Sequence, residues 1–567
     1  MPLLPPLAAA HPAHRLAVRA LQVGATCVAL AALRYKLFEL DRFFVPKELV
    51  LHATAALVAV AALRAPRRPD GSTDPLGRHD AFAGTAFERP VAGGLTLVDA
   101  ALALFLACSA LAAALAGNGW LGARALAISL SSAALFWGAR ALARAGLGRT
   151  VLAAVGVALV VGAATSLLQA YGVESAYFSL NRAPGGTFGN RNFVAHLAAI
   201  GTPILAGLAL RARRRRHALL ACVGAAALAT VLVLSRSRGA WLAAAAASVP
   251  LALGVARALA LPGTRPKLGR VLLLLVALGG GALAALRLPN TLEWKSDSPY
   301  LDSVKGVVDY RGGSGRGRLK QYANSARMAL DHPLLGVGPG NWAADYPRYA
   351  PAGDPSLTGD GTTANPWPSS DWVAILSERG LPAFLALGAT MLGLAWWAHG
   401  AVWRGRDADG ALTGGVLGAT LAAALVVGAF DAVLLLPAPA FLTWAALGAL
   451  AVESGAVDRA PRPIRWPRLA RRLAWAALAA AALLGALRSA GQAGAMALFS
   501  TGRAVAIARA AELDRGSYRI QLRAAELARA RGRCADVRRY ATRAAELLPS
   551  APAPKRLLAA CRPRRRG

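Results

Sequence analysis

The sequence predicts an all-α fold: a polytopic transmembrane helical bundle of about 13 spans, with a large polar loop and a small α-helical tail. Three observations carry this reading. The chain is 56% hydrophobic and only 16% charged, with mean hydropathy +0.43, where soluble domains average about 25% charged. Apolar runs near the ~20 residues that cross a hydrocarbon core recur along most of its length. Much of the net charge of +35 sits in short connections between these runs, where arginine fixes orientation and meets anionic lipid heads. Membrane lipids, and not nucleic acid, are therefore the expected partners of the basic charge.

The runs fall at about 15–34, 48–64, 95–117, 121–143, 149–170, 193–210, 218–234, 240–257, 270–287, 380–400, 411–430, 433–452 and 472–489. The first lacks a small-residue cleavage pattern and reads as a retained span, not a removed signal. The connection Arg211-Ala-Arg213-Arg214-Arg215-Arg216-His217 is the most basic and is placed in the cytoplasm. The same rule puts Arg64 to Arg68, Arg140 to Arg149, Arg257 to Arg270, Arg404 to Arg406 and Arg459 to Arg472 on that side. An even number of runs separates each pair of these loops, so the assignment is self-consistent. The N-terminus is then inside. The loops 34–48, 171–192 and 235–240, the insert 288–379 and the tail are outside.

Arginines kept on the disfavoured side need another reason to be there. Arg191 lies in Gly185-Gly186-Thr187-Phe188-Gly189-Asn190-Arg191-Asn192-Phe193. There glycine and asparagine permit a turn whose N–H groups converge on an anion; a plain loop-ending turn reads the same way. Arg238 lies in Ser235-Arg236-Ser237-Arg238-Gly239-Ala240-Trp241, either as a functional cation or as one snorkelling beside a Trp anchor. Arg318 opens an amphipathic helix that leads to Asp331-His332-Pro333-Leu334-Leu335-Gly336-Val337-Gly338-Pro339-Gly340-Asn341-Trp342. This stretch is too rich in glycine and proline for a helix interior or central strand, and too apolar for a linker. His332 suits a helix C-terminal cap, and Asp371 a helix N-cap.

The chain divides into a transmembrane domain, 1–490, that includes the loop 288–379, and a helical tail, 491–567. In the tail Ala510-Ala511-Glu512-Leu513 returns as Ala544-Ala545-Glu546-Leu547, the 34-residue spacing of tetratricopeptide helix pairs. Cys27, Cys108 and Cys222 fall in apolar runs as small core residues. Cys534 and Cys561, outside, are expected to form a disulfide. The eight histidines show no ligand spacing, so no structural metal is expected.

In order and sidedness, four pieces resemble the O-antigen ligase and polymerase superfamily of bacterial envelopes. They are Gly186 to Phe193, Ser237-Arg238-Gly239-Ala240-Trp241-Leu242, Gly317-Arg318-Leu319 with His332 to Asn341, and Ser370-Asp371-Trp372 with Glu378-Arg379-Gly380-Leu381-Pro382. The resemblance implies a membrane-embedded, GT-C-like glycosyltransferase that uses neither metal nor cofactor. It would move a glycan from undecaprenyl diphosphate to a lipid or protein acceptor at the periplasmic face of the inner membrane. Arg238, Arg318 and Asp371 would be catalytic, with Arg191, Asn190, His332 and Glu378 contacting substrate, and Glu378 holding the loop by pairing with an arginine. Guanidinium forks suit diphosphate oxygens. Where ligases usually carry a histidine this chain has Ser369, which is no base at neutral pH; Asp371 ranks ahead of His332 as its replacement. Related readings are a polymerase and a protein O-oligosaccharyltransferase, for which the tail would bind a protein partner. A transporter or non-catalytic binding subunit is the alternative of another class.

Overall fold

A computed structural model describes residues 10–64, 95–179, 182–263, 265–294, 296–306, 313–358, 360–461, 464 and 466–561. Arg67, Arg68 and Arg311 lie outside the described residues. Each apolar run forms one long helix: α1 (Pro12–Leu30), α2 (Asp41–Leu63), α3 (Leu97–Ala114), α4 (Gly119–Leu142), α5 (Gly148–Ala170), α6 (Arg191–Leu210), α7 (Arg215–Ser235), α8 (Arg238–Ala260) and α9 (Leu268–Arg287). Ten described segments are long and apolar enough to cross a membrane. One of them is the 52-residue pair α4 and α5, which a π-turn at Ala143–Leu147 joins and bends at Gly146. Helix α1, which carries Arg15 and Arg19, falls outside that set. Among the described residues no strand forms, only the isolated bridges Leu95 to Ile464 and Leu357 to Thr363.

After α9 the polar insert supplies α10 (Pro299–Lys305), α11 (Gly313–Asp331) and the single turn α12 (Trp342–Asp345). Spans resume with α13 (Asp371–Arg404), α14 (Ala408–Phe430) and α15 (Pro437–Glu453), the last only 17 residues long. The short α16 (Ala456–Arg459) precedes α17 (Arg468–Ser500). The tail adds α18 (Ala504–Leu513), α19 (Tyr518–Ala530), α20 (Cys534–Leu547) and α21 (Pro552–Ala560). The boundary expected at 490 falls inside α17, which continues unbroken to Ser500.

Small residues let the spans approach closely, as in membrane bundles where lipid offers no hydrophobic penalty to overcome. Helices α8 and α14 meet at Gly254 and Gly415, where a Cβ on Gly254 would stand 2.6 Å from the Gly415 Cα. Two ion-paired groups offset desolvation inside the bundle. Arg140 meets Asp99 at 2.5 Å with both side chains buried. Arg211 bonds Asp409 at 2.7 Å and Glu453 at 2.8 Å, drawing together one end of α6, α14 and α15. These ends are the ones that arginine counting assigned to a common side.

The opposite end holds the insert and the tail. Gly380 bends α13 with φ 77°, so its first nine residues cap the bundle before the span begins. The insert packs into that bend: a Cβ on Gly380 would lie 2.2 Å from the Leu334 carbonyl oxygen, and one on Gly336 only 2.2 Å from the Glu378 carbonyl carbon. Only glycine permits both the positive φ and this approach. In the tail Ala510–Leu513 and Ala544–Leu547 are the last residues of α18 and α20. Cys534 and Cys561 are bonded, with Cα atoms 5.4 Å apart.

Candidate functional site

Two helix starts converge at the end of the bundle that holds the insert and the tail. Asn190 caps α6 by accepting from the Asn192 N–H at 3.0 Å. Arg236, at φ 55°, ends α7 in the left-handed region, and the chain re-enters as α8 at Arg238 with no side-chain cap. Unpaired N–H groups and the macrodipole make such helix ends favourable to anions. Between them lies a cavity of about 400 Å³ lined by Arg191, Arg236, Arg238 and Arg318, with Asp302 and His196. The structure thus brings together the three arginines singled out from sequence and adds Arg236.

Each guanidinium of the first three is held. Arg191 and Arg236 lie over the Trp294 ring at 5.1 and 4.6 Å, cation–π contacts that orient them. Arg236 also donates to Ser303 Oγ at 2.9 Å, and Arg238 donates to the Gly306 carbonyl. Arg318 stands on the first turns of α11 and makes no hydrogen bond or ion pair with any other described residue. His196 is buried at 2% exposure, lines the same cavity, and its Nδ1 has no partner among the described residues.

A second cavity of about 330 Å³ shares Asn192 and Arg318 with the first and adds Asn190, Gln321, Ser369 and Asp431. Asp431 follows the last turn of α14, and its Oδ1 accepts only from the Ala432 N–H, at 2.9 Å, among the described residues. The Ser369 backbone is pinned there: its N–H donates to Gln321 Oε1 at 2.7 Å and its carbonyl accepts from the Tyr322 hydroxyl at 2.6 Å. A third cavity, about 500 Å³, shares Arg182, Asn365 and Trp367 with the second and extends to Tyr518 in the tail.

Asp371 is not brought to these cavities. It is fully buried, and its carboxylate accepts from the Val433 and Leu434 N–H groups at 2.9–3.0 Å. It fixes the connection between α14 and α15 and has no exposed oxygen for a substrate. His332 also lines none of the three; it is exposed at the end of α11. Glu378, buried at 2%, reaches the third cavity, but its partners are backbone amides where an arginine was expected. It accepts from Gly340 N–H at 2.8 Å and Trp342 N–H at 3.3 Å, clasping the glycine–proline turn. Arg379 beside it donates to Ser109 and Ser129 at 3.0 and 2.9 Å.

Sequence reasoning did not single out Asp431, His196 or Trp294. The charge at Asp431 was readable as a break between two apolar runs, though nothing local tied it to Arg318.

Residues 223–388 match the family model described as O-antigen ligase. Over that segment the chain is similar to the O-antigen ligase family. The matched segment contains Arg238, Arg318, Asp371 and Glu378, and the cavities are completed from outside it by Arg191, Asn190 and Asp431. No curated protein matches the chain. The chain is an all-α, multi-pass membrane protein by its helices and its apolar spans.

Proposed function

We propose that this ligase-family protein transfers a glycan from undecaprenyl diphosphate to an acceptor, lipid A core or a similar saccharide, at the periplasmic face of the inner membrane. The observation that carries the reading is the convergence of Arg191, Arg236, Arg238 and Arg318 on two helix N-termini. A lipid diphosphate leaving group needs fixed positive charge where negative charge develops, and guanidinium forks match its oxygens.

The bond between the anomeric carbon and the phosphate oxygen breaks, and its electron pair leaves on undecaprenyl diphosphate beside Arg238 and Arg318. The acceptor hydroxyl oxygen bonds the anomeric carbon and its proton passes to a carboxylate. Asp431 takes that role: it shares a cavity with Arg318 and Ser369, the position where ligases usually carry a histidine. Asp371 positions the loop that carries Val433, next to Asp431. The tail disulfide Cys534–Cys561 supports an oxidising compartment for this end.

The test is a deletion strain analysed for surface polysaccharide and complemented with Arg238→Ala or Arg318→Ala. A ligase defect leaves lipid A core uncapped while full-length undecaprenyl-linked chains accumulate. Single repeat units would instead identify a polymerase. Wild-type glycans with both variants would sink the transferase reading.

A further inference from the structure

The third cavity has a different chemistry from the arginine site, and the proposed function does not use it. Its walls come from the loop ahead of α2, the insert segment 362–367, α4, α17 and the first turn of α19. We propose that it is a carbohydrate subsite, walled by the tail, that holds the sugar chain of the transferred glycan or of its acceptor. The proposal rests on the transferase reading and extends it to a region with no catalytic group.

The charges in this cavity are matched to each other. Arg124, Arg182, Arg379 and Arg519 in its lining are equalled in number by Glu39, Asp41, Glu48 and Glu378, and Arg124 donates to Glu48 at 2.6–3.0 Å and to Asp41 at 3.1 Å, so the lining has no net cation excess for a phosphate. A neutral polyhydroxyl chain asks instead for aromatic faces and fixed hydrogen-bonding groups. Trp367 presents an indole braced edge-on by Phe44 at 5.2 Å, and Tyr518 adds a phenol from the tail. Burial pushes the Tyr518 hydroxyl up to about 12, so it stays a neutral donor at physiological pH. Gln492, at 8% exposure, lines the cavity, and its Oε1 has no partner among the described residues. A buried acceptor left unsatisfied is destabilising, and a ligand hydroxyl would satisfy it.

The cavity also has the needed size and connection. Its volume of about 500 Å³ is in the range of ligand sites. Through Arg182, Asn365 and Trp367 it joins the cavity that holds Asp431, so a chain bonded at the reacting carbon can run into it. The tail is anchored there: Arg519 donates to the Leu37 carbonyl, and Phe499 packs edge-on against Phe38 at 5.1 Å.

The test measures binding to the full chain in lipid nanodiscs. The probes are bare undecaprenyl diphosphate, the same lipid carrying an oligosaccharide, and a delipidated acceptor core oligosaccharide. Gln492→Ala and Tyr518→Ala should each weaken one saccharide-bearing probe about tenfold, the effect of losing about 1.4 kcal/mol, and leave the bare lipid unchanged. The probe that weakens names the source of the chain. Resistance of Cys534 and Cys561 to alkylation confirms a folded tail in each variant. Unchanged binding of both saccharides, or an equal loss for bare lipid, overturns the proposal. If Arg238→Ala leaves bare-lipid binding intact, the diphosphate reading fails, and it does so independently of the Gln492 result.

Discussion

The arginine cavity and the third cavity share one end of the bundle and differ in charge balance. Around Arg238 and Arg318 four guanidinium groups face two helix N-termini with Asp302 as the carboxylate in the lining. Around Tyr518 the four lining arginines are equalled by four carboxylates, Glu39, Asp41, Glu48 and Glu378. Cation excess costs stability and is retained where an anion will arrive. Balanced charge beside aromatic rings suits a ligand recognised by shape and hydroxyl pattern. One end of the molecule can therefore hold a diphosphate and a sugar chain without either site attracting the wrong part.

The largest effect that would break this comparison is at the carboxylates. Asp431→Asn should lower kcat by about 10²–10⁴-fold, the usual worth of a general base. Asp371→Asn keeps an accepting oxygen for Val433 and Leu434 and should stay within about tenfold of wild type, whereas Asp371→Ala should cost on the order of 3 kcal/mol in thermal unfolding. Equal kinetic damage from both asparagine variants would return the base to Asp371. Next, Arg238→Ala and Arg318→Ala should each reduce kcat/KM about 10²–10³-fold in a lipid-linked glycan transfer assay. A loss confined to KM would make them binding groups only.

Smaller effects separate the two cavities further. Raising ionic strength from about 0.1 to about 0.5 M shortens the screening length. It should weaken bare undecaprenyl diphosphate several-fold and leave free oligosaccharide affinity within about twofold. Parallel salt curves for the two probes would erase the distinction drawn here. The change with the least effect on the arginine cavity is Cys534→Ser, which should cost about 2–4 kcal/mol of tail stability, visible as faster proteolysis between α19 and α21. The bare lipid should still bind at its usual affinity.

Much of this arrangement was legible in the residues. Each apolar run became a helix because length and hydropathy leave a membrane segment few other states. Arg191, Arg238 and Arg318 were visible because each defies the orientation rule at a helix start. Asp371 was misleading for a physical reason. A carboxylate at the start of a helix reads alike whether it faces solvent, substrate or two backbone amides, and only packing against Val433 decides. Asp431 was obscured in the opposite way: its importance comes from α14 ending against α6 and α11, contacts more than a hundred residues apart. Glu378 was expected to pair with an arginine, but the glycine turn offered it closer partners.

The contact of Phe499 and Arg519 with the loop at Leu37 and Phe38 has a consequence for how the protein is made. The loop ahead of α2 is synthesised well before the tail that packs against it. A ribosome that has released α14 has already supplied every arginine of the first cavity. The wall bearing Tyr518 is still to be translated. For that interval the nascent chain would have a place for the lipid diphosphate and an unfinished place for sugar, so assembly itself delays the moment at which a donor can be fully held.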